Sequence, residues 1–161
     1  MTRFLAMLGA MMIVAACSMF GVKPGASEAE ARRAYGTPAL EFPGPDGSRQ
    51  LVFTTGPLGT QTFMVYVSRD GTVQRVDQAL TDEIFYRIQT GTTTGEDVRR
   101  LIGPPHRVVR FDNLRQDAWD YRYRDTWGYL ANFSVMVDDR GVVAGKVTVR
   151  IESGRDAAVN R

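Results

Sequence analysis

TDEIFYRIQTGTTTGEDVRRLIGPP, residues 81–105, is the stretch whose reading decides the fold. In its second half Thr94 stands three positions before Asp97, the Ser/Thr-x-x-acid spacing in which a hydroxyl and a carboxylate satisfy each other's backbone amides at a helix start. Val98, Leu101 and Ile102 then share one face and Arg99 and Arg100 the other, until Gly103, Pro104 and Pro105 stop the helix. In the first half Thr81 precedes Asp82 and Glu83, acids suited to the positive end of a helix, and Ile84, Phe85 and Ile88 supply an apolar stripe. The stretch therefore predicts two short helices joined by a Gly/Thr turn. Isolated helices of fewer than about 12 residues are marginal in water, so these two must lie on something. Residues 119–151 alternate apolar and polar at period two, which makes an antiparallel sheet the expected support.

The same helix is spelled earlier in the chain. In SEAEARRAYGTP, residues 27–38, Ser27 and Glu30 form the capping pair, Ala31, Ala34 and Tyr35 the apolar face, Arg32 and Arg33 the basic pair, and Gly36 with Pro38 the stop. Ser27 matches Thr94 and Pro38 matches Pro105. Further on, Phe63, Val65 and Val67, a turn at Arg69-Asp70-Gly71 and Val73 match Phe133, Val135 and Val137, a turn at Asp139-Arg140-Gly141 and Val143. Two helices and two hairpins recurring in one order predict a tandem duplication, each copy a helix followed by a β-meander. The expected fold class is α+β, with one copy over residues 25–79, a second over 80–151, and a frayed tail at 152–161.

Strands are expected at about 50–55, 62–68 and 72–77 in the first copy, with FPGPDGSR and TGPLG as turns. In the second they are expected at about 107–111, 118–124, 131–138 and 142–151. Alternation places Trp119, Tyr121 and Tyr123 on one face of their strand, opposite Asp120, Arg122 and Arg124. It places Val143, Gly145, Val147, Val149 and Ile151 together as an apolar face, and burying each such Val or Ile contributes about 1.5–3 kcal/mol.

The first residues point to a membrane. Arg3 gives a short positive segment, residues 4–16 form an uncharged apolar run too short to span a bilayer, and the run ends in Val14-Ala15-Ala16-Cys17. Small residues before a cysteine resemble the bacterial lipobox, which implies removal of residues 1–16, acylation of Cys17 and a short lipidated tether over residues 17–24. An ordinary secretory cut beside a chance cysteine, or an uncleaved anchor, would leave the same residues. Ser18 after the cysteine resembles the pattern that sorts lipoproteins to the outer membrane. Cys17 is the single cysteine, so its acylation would leave the fold without a disulfide.

A formal charge of +2, with basic residues scattered among acids, argues against a nucleic-acid footprint. One histidine, His106, and one cysteine make metal sites and Ser-His-Asp chemistry poor fits, and no Gly-rich loop follows a strand to open a helix. No cofactor and no catalytic residue is expected. The candidates for contact are Trp127 and Tyr129 in a turn, with Tyr123, Arg122 and Arg124 on the strand before it, since aromatic and Arg side chains dominate interface energetics. For Trp127 the expected contact is a partner or lipid head groups, and for the two arginines an acidic partner surface, anionic lipid or solvent on a polar sheet face. For Trp119 and the tyrosines on its face two readings stand: core beneath the helices, or interface.

With Thr94, Val98, Leu101, Ile102, Gly103 and Pro105 in place, preceded by IFYRIQ and followed by the WDYRY and FSVMV strands, residues 84–151 resemble the SmpA/OmlA family, also called BamE-like. Residues 25–77 resemble it less closely, with Ala31 and Ala34 where larger apolar residues are usual. The resemblance implies an outer-membrane lipoprotein facing the periplasm. Its implied role is that of a non-enzymatic accessory, serving β-barrel assembly or envelope integrity by binding envelope proteins. Tandem helix-plus-sheet units are also similar in plan to the secreted β-lactamase inhibitor protein, which implies the alternative of a periplasmic inhibitor that grips an enzyme with its sheet face.

Overall fold

The computed structural model describes residues 21–56 and 58–151, so the expected leader over 1–16, Cys17 and the expected frayed tail at 152–161 lie outside the described residues. The fold is α+β, built on two antiparallel four-stranded sheets. The first sheet takes β1 (Leu40–Pro43), β2 (Arg49–Thr54), β3 (Thr62–Val67) and β4 (Val73–Gln78) in chain order. The second takes β5 (Arg107–Phe111), β6 (Gln116–Arg124), β7 (Leu130–Asp138) and β8 (Val143–Arg150), again in order. Helix α1 (Glu28–Tyr35) precedes the first sheet, and α2 (Asp82–Tyr86) and α3 (Gly95–Ile102) precede the second.

The helices start and stop where the sequence said. Glu30 N–H donates to Ser27 Oγ and Asp97 N–H to Thr94 Oγ1, each at 3.2 Å, and both acids answer the amide of the capping residue. Gly36 and Gly103 end the helices at φ of +87° and +83°, a left-handed conformation that a residue with a Cβ resists.

The two halves agree in detail. Ser27 bridges to Thr72 and Thr94 to Val142, so each helix begins against the last turn of its own meander. Each last strand carries one extra residue, the pairing slipping between Tyr66 and Val67 in one half and between Met136 and Val137 in the other. A two-repeat arrangement is compatible with this geometry.

The faces of the sheets are covered differently. Ala31 of α1 packs on Leu51, Phe53, Val65 and Val67, filling one side of the first sheet. On its other side Val52, Met64 and Ala79 are buried too, because the end of α3 lies there. Gln50 Nε2 donates to the Arg100 carbonyl at 2.7 Å, the Arg100 guanidinium sits 4.5 Å over the Phe42 ring, and the position of a Cβ on Gly103 would fall 3.0 Å from Val52. The second sheet buries Trp119, Tyr121, Tyr123, Phe133 and Val135 under α2 and α3, with Phe85 stacked on Phe133 at 3.9 Å. Its far face is open.

Two expectations are corrected. Residues 40–43 form β1, although no strand is expected before residue 50 and Phe42 and Pro43 fall in the predicted FPGPDGSR turn; a strand ending in Pro43 is tolerated because β1 is an edge with one partner. Val147, Val149 and Ile151 do not share a buried face with Val143. The extra residue, Ala144, turns the strand over, so Val143 is buried under the helices while Val147 and Val149 sit opposite Ser134 and Asn132 on the open face, 51% and 59% exposed.

Candidate functional site

The sequence candidates divide at the end of β6. Tyr123 is fully buried, its hydroxyl donating to Asp82 Oδ1 at 2.6 Å, so it is a core residue and not a contact surface. Trp119 and Tyr121 are core as well, Tyr121 donating to the Gly103 carbonyl at 3.1 Å and Trp119 lying 4.5 Å beneath the Arg99 guanidinium. Past the strand end the rings turn outward: Trp127 is 78% exposed and Tyr129 59%.

The loop that carries them is fixed at both ends. Asp125 Oδ1 accepts from the Trp127 and Tyr129 amides at 3.0 and 2.9 Å, the local hydrogen bonding that suits Asp to turns, and Asp125 Oδ2 accepts from Arg150 Nε at 2.6 Å. Gly128, at φ +83°, closes the turn on the Asp125 carbonyl. The Arg150 guanidinium then lies 4.7 Å over the Tyr129 ring. From the other side Asp82, at the start of α2, accepts from the Thr126 amide at 2.9 Å and from its hydroxyl at 2.7 Å.

Charge follows from these bonds. Burial pushes the Asp82 carboxyl up, but the hydrogen bonds from Tyr123 and Thr126 outweigh it and hold Asp82 below the usual carboxylate range. Asp125 is likewise held low, its burial outweighed by Arg150 and the two loop amides. Burial, and then the bond to Asp82, push the Tyr123 phenol up to about 12.

Arg124 is exposed and donates to the Gly128 carbonyl at 2.9 Å; Arg122 is half-buried on the open face. Neither forms an ion pair with a described residue. His106 is more than a loop residue: its Nδ1 accepts the Arg122 amide at 2.9 Å, while burial and then the Arg122 charge lower its pKa. Its Nε2 has no partner among the described residues. Among them no group of three or more His, Cys, Asp or Glu side chains is placed to hold a metal ion. Cys17, the lipidation candidate, lies outside the described residues.

Sequence reasoning missed Asp82, Asp125 and Arg150, which aim the loop. Asp82 looked like an ordinary first-turn acid, and its bonds to Tyr123 and Thr126 cross more than 40 positions of sequence. Lys146 was missed too; its ammonium donates to the Phe85 and Ile88 carbonyls at 2.9 and 2.6 Å, closing the end of α2.

No protein-family model matches the chain, and no curated protein matches it. Among solved structures it is similar to a DUF4309 family protein, YjgB, from Bacillus subtilis, at 14% identity and a TM-score of 0.31, covering 78% of each chain. A likeness that weak carries no argument about fold or role. What the geometry defines is a class: a two-sheet α+β protein with an aromatic loop fixed at one end.

Proposed function

We propose that this protein is a non-enzymatic binding module of the bacterial envelope, acylated at Cys17, held at the outer membrane and facing the periplasm. The finer fold reading, two BamE-like repeats, belongs to the same proposal, as does a role beside the machinery that assembles β-barrel proteins. The observation that carries the binding reading is the 125–129 loop. Trp127 and Tyr129 stay in solvent although the side chains of Asp125, of Asp82 from α2 and of Arg150 from β8 fix the loop beneath them. A surface ordered in advance loses less entropy on binding, so a rigid loop with exposed rings suits contact. The open face of the second sheet, with Val147, Val149 and Arg122, offers a protein partner a second surface.

Labelled palmitate fed to a Gram-negative host should enter the protein and should not enter Cys17→Ala; labelling that survives the substitution ends the lipoprotein reading. Pull-down of the acylated protein from its native envelope should recover components of the barrel-assembly machinery, and their absence in repeated trials ends that assignment. The exposure of Val147 and Val149 also favours the inhibitor reading, for which a soluble 1:1 complex with a periplasmic enzyme is the sign.

A further inference from the structure

The chain enters the fold and shows its exposed rings at the same end. Its first described residues lie by the Tyr35 hydroxyl, which accepts the Val22 amide at 3.1 Å, and the Tyr35 ring stacks on Phe63 at 4.7 Å. Phe63 is next to Thr62, the first residue of β3 after the β2–β3 turn, where Leu58 is 79% exposed. Ala79 donates to the Thr62 carbonyl at 2.8 Å, and only three residues later Asp82 is bonded to Thr126 in the β6–β7 turn. Leu58, Trp127 and Tyr129 therefore project from one end, the end at which the chain arrives from Cys17. Four residue steps separate Cys17 from Gly21, a reach of about 14 Å at most.

We propose that this end lies on the headgroup region of the membrane that holds Cys17, with Trp127 and Tyr129 as interfacial anchors and Leu58 beside them. The inference rests on the lipid-anchored reading above and assigns the loop its partner, leaving the open sheet face to proteins. Trp and Tyr settle at the level of the headgroups because one edge of each ring is apolar and the other polar. Arg124, with no carboxylate partner among the described residues, ends β6 beside that loop, donating to the Gly128 carbonyl, and suits lipid phosphates. At the opposite end Asp112, Asp138 and Asp139 are each paired with an arginine, so that end offers charge already met within the fold and neither Trp127 nor Tyr129.

The chain has two tryptophans, of which Trp119 is buried, so the fluorescence lost in Trp127→Phe is that of the loop. The full acylated protein is reconstituted in phosphatidylethanolamine and phosphatidylglycerol vesicles containing lipids brominated high in the acyl chain. Bromine should cut the Trp127 emission about twofold, as for a ring at the interface. It should leave Trp119 unquenched, and also the tryptophan of a Trp127→Phe, Arg140→Trp protein, which reports from the far end. Trp127 quenched no more than the tryptophan at 140 overturns the proposal, since the loop then meets water or a protein. If mass spectrometry finds no lipid on Cys17, the anchoring reading has failed separately. The full chain is then coupled through that thiol to a maleimide lipid, and the same contrast between 127 and 140 decides the orientation.

Discussion

The outer face of the first sheet has Val52 and Met64 at its centre, both buried, whereas the matching positions of the second sheet are Asp120 and Ser134. The match follows from the bulges: with Tyr66 set on Met136, Val65 falls on Val135, its partner Leu51 on Trp119, and the next residue, Val52, on Asp120. On the first sheet that face receives the end of α3. On the second, Ser134 donates to Asp120 Oδ1 at 2.6 Å and Arg107 to Asp120 Oδ2 at 2.9 Å, polar bonds that suit a face in water. One plan thus serves as an internal joint in its first use and as a free surface in its second.

Exchanging the two central residues breaks the comparison most directly. Val52→Asp buries a carboxylate among Met64, Ala79 and the end of α3 and should cost about 3–5 kcal/mol, enough to unfold a domain of ordinary stability. Asp120→Val removes an ion pair screened through its arginine, which is 72% exposed, and the bond from Ser134 to a carboxylate that is 17% exposed, and should change stability by about 1–2 kcal/mol. Urea denaturation measures both. Similar costs at the two sites would mean that the first sheet's outer face is not a joint at all.

The same contrast explains what the sequence could and could not show. Where a sheet is covered on one side, alternation is a direct record of burial, and β6 and β7 were legible for that reason. Leu51, Val52 and Phe53 are buried in succession because helices cover both sides, a run without period whose second side nothing local announces. The capping pairs and glycine stops of α1 and α3 were legible because their physics is contained within four or five residues. The extra residue in β8 was not: VVAGKVTVRI keeps its period through position 144, and only the pairing with β7 shows that the strand turns over there. The candidate site was half legible. Trp127 and Tyr129 stood out as aromatic residues in a turn, but the acids that fix them act across sheet and helix.

The glycines that end α1 and α3 sharpen the comparison at smaller cost. Both hold a positive φ, so alanine at either should lose about 1–3 kcal/mol to backbone strain. A Cβ at Gly36 would meet nothing within 4 Å, while at Gly103 it would come within 2.9 Å of Thr62 and 3.0 Å of Val52. Gly103→Ala should therefore lose roughly a further 1–3 kcal/mol of overpacking that Gly36→Ala does not. Equal losses, read from paired urea titrations, would show that α3 is free to move off the first sheet.

The smallest contrast lies where β1 and β5 begin. Ala39 donates to the Val52 carbonyl and His106 to the Asp120 carbonyl, equivalent bonds in the two halves, but only the second position can titrate. His106 is the single histidine, and burial lowers its pKa, so the fold favours the neutral ring. As pH falls through about 6.5 the unfolded chain takes up a proton that the folded chain does not, and stability contributed above that pH is lost on the way down. The lowered carboxylates, among them Asp82 and Asp125, contribute their stability above the ordinary carboxylate range of about 4 and lose it only below, so they are silent in this window. Melting temperature should then fall between pH 7.5 and pH 5 in the natural protein. It should stay level in His106→Asn, whose side-chain oxygen can take the place of Nδ1 as acceptor for the Arg122 amide. An equal fall in both proteins would place the acid sensitivity elsewhere and remove the one titrating difference between the halves at neutral pH.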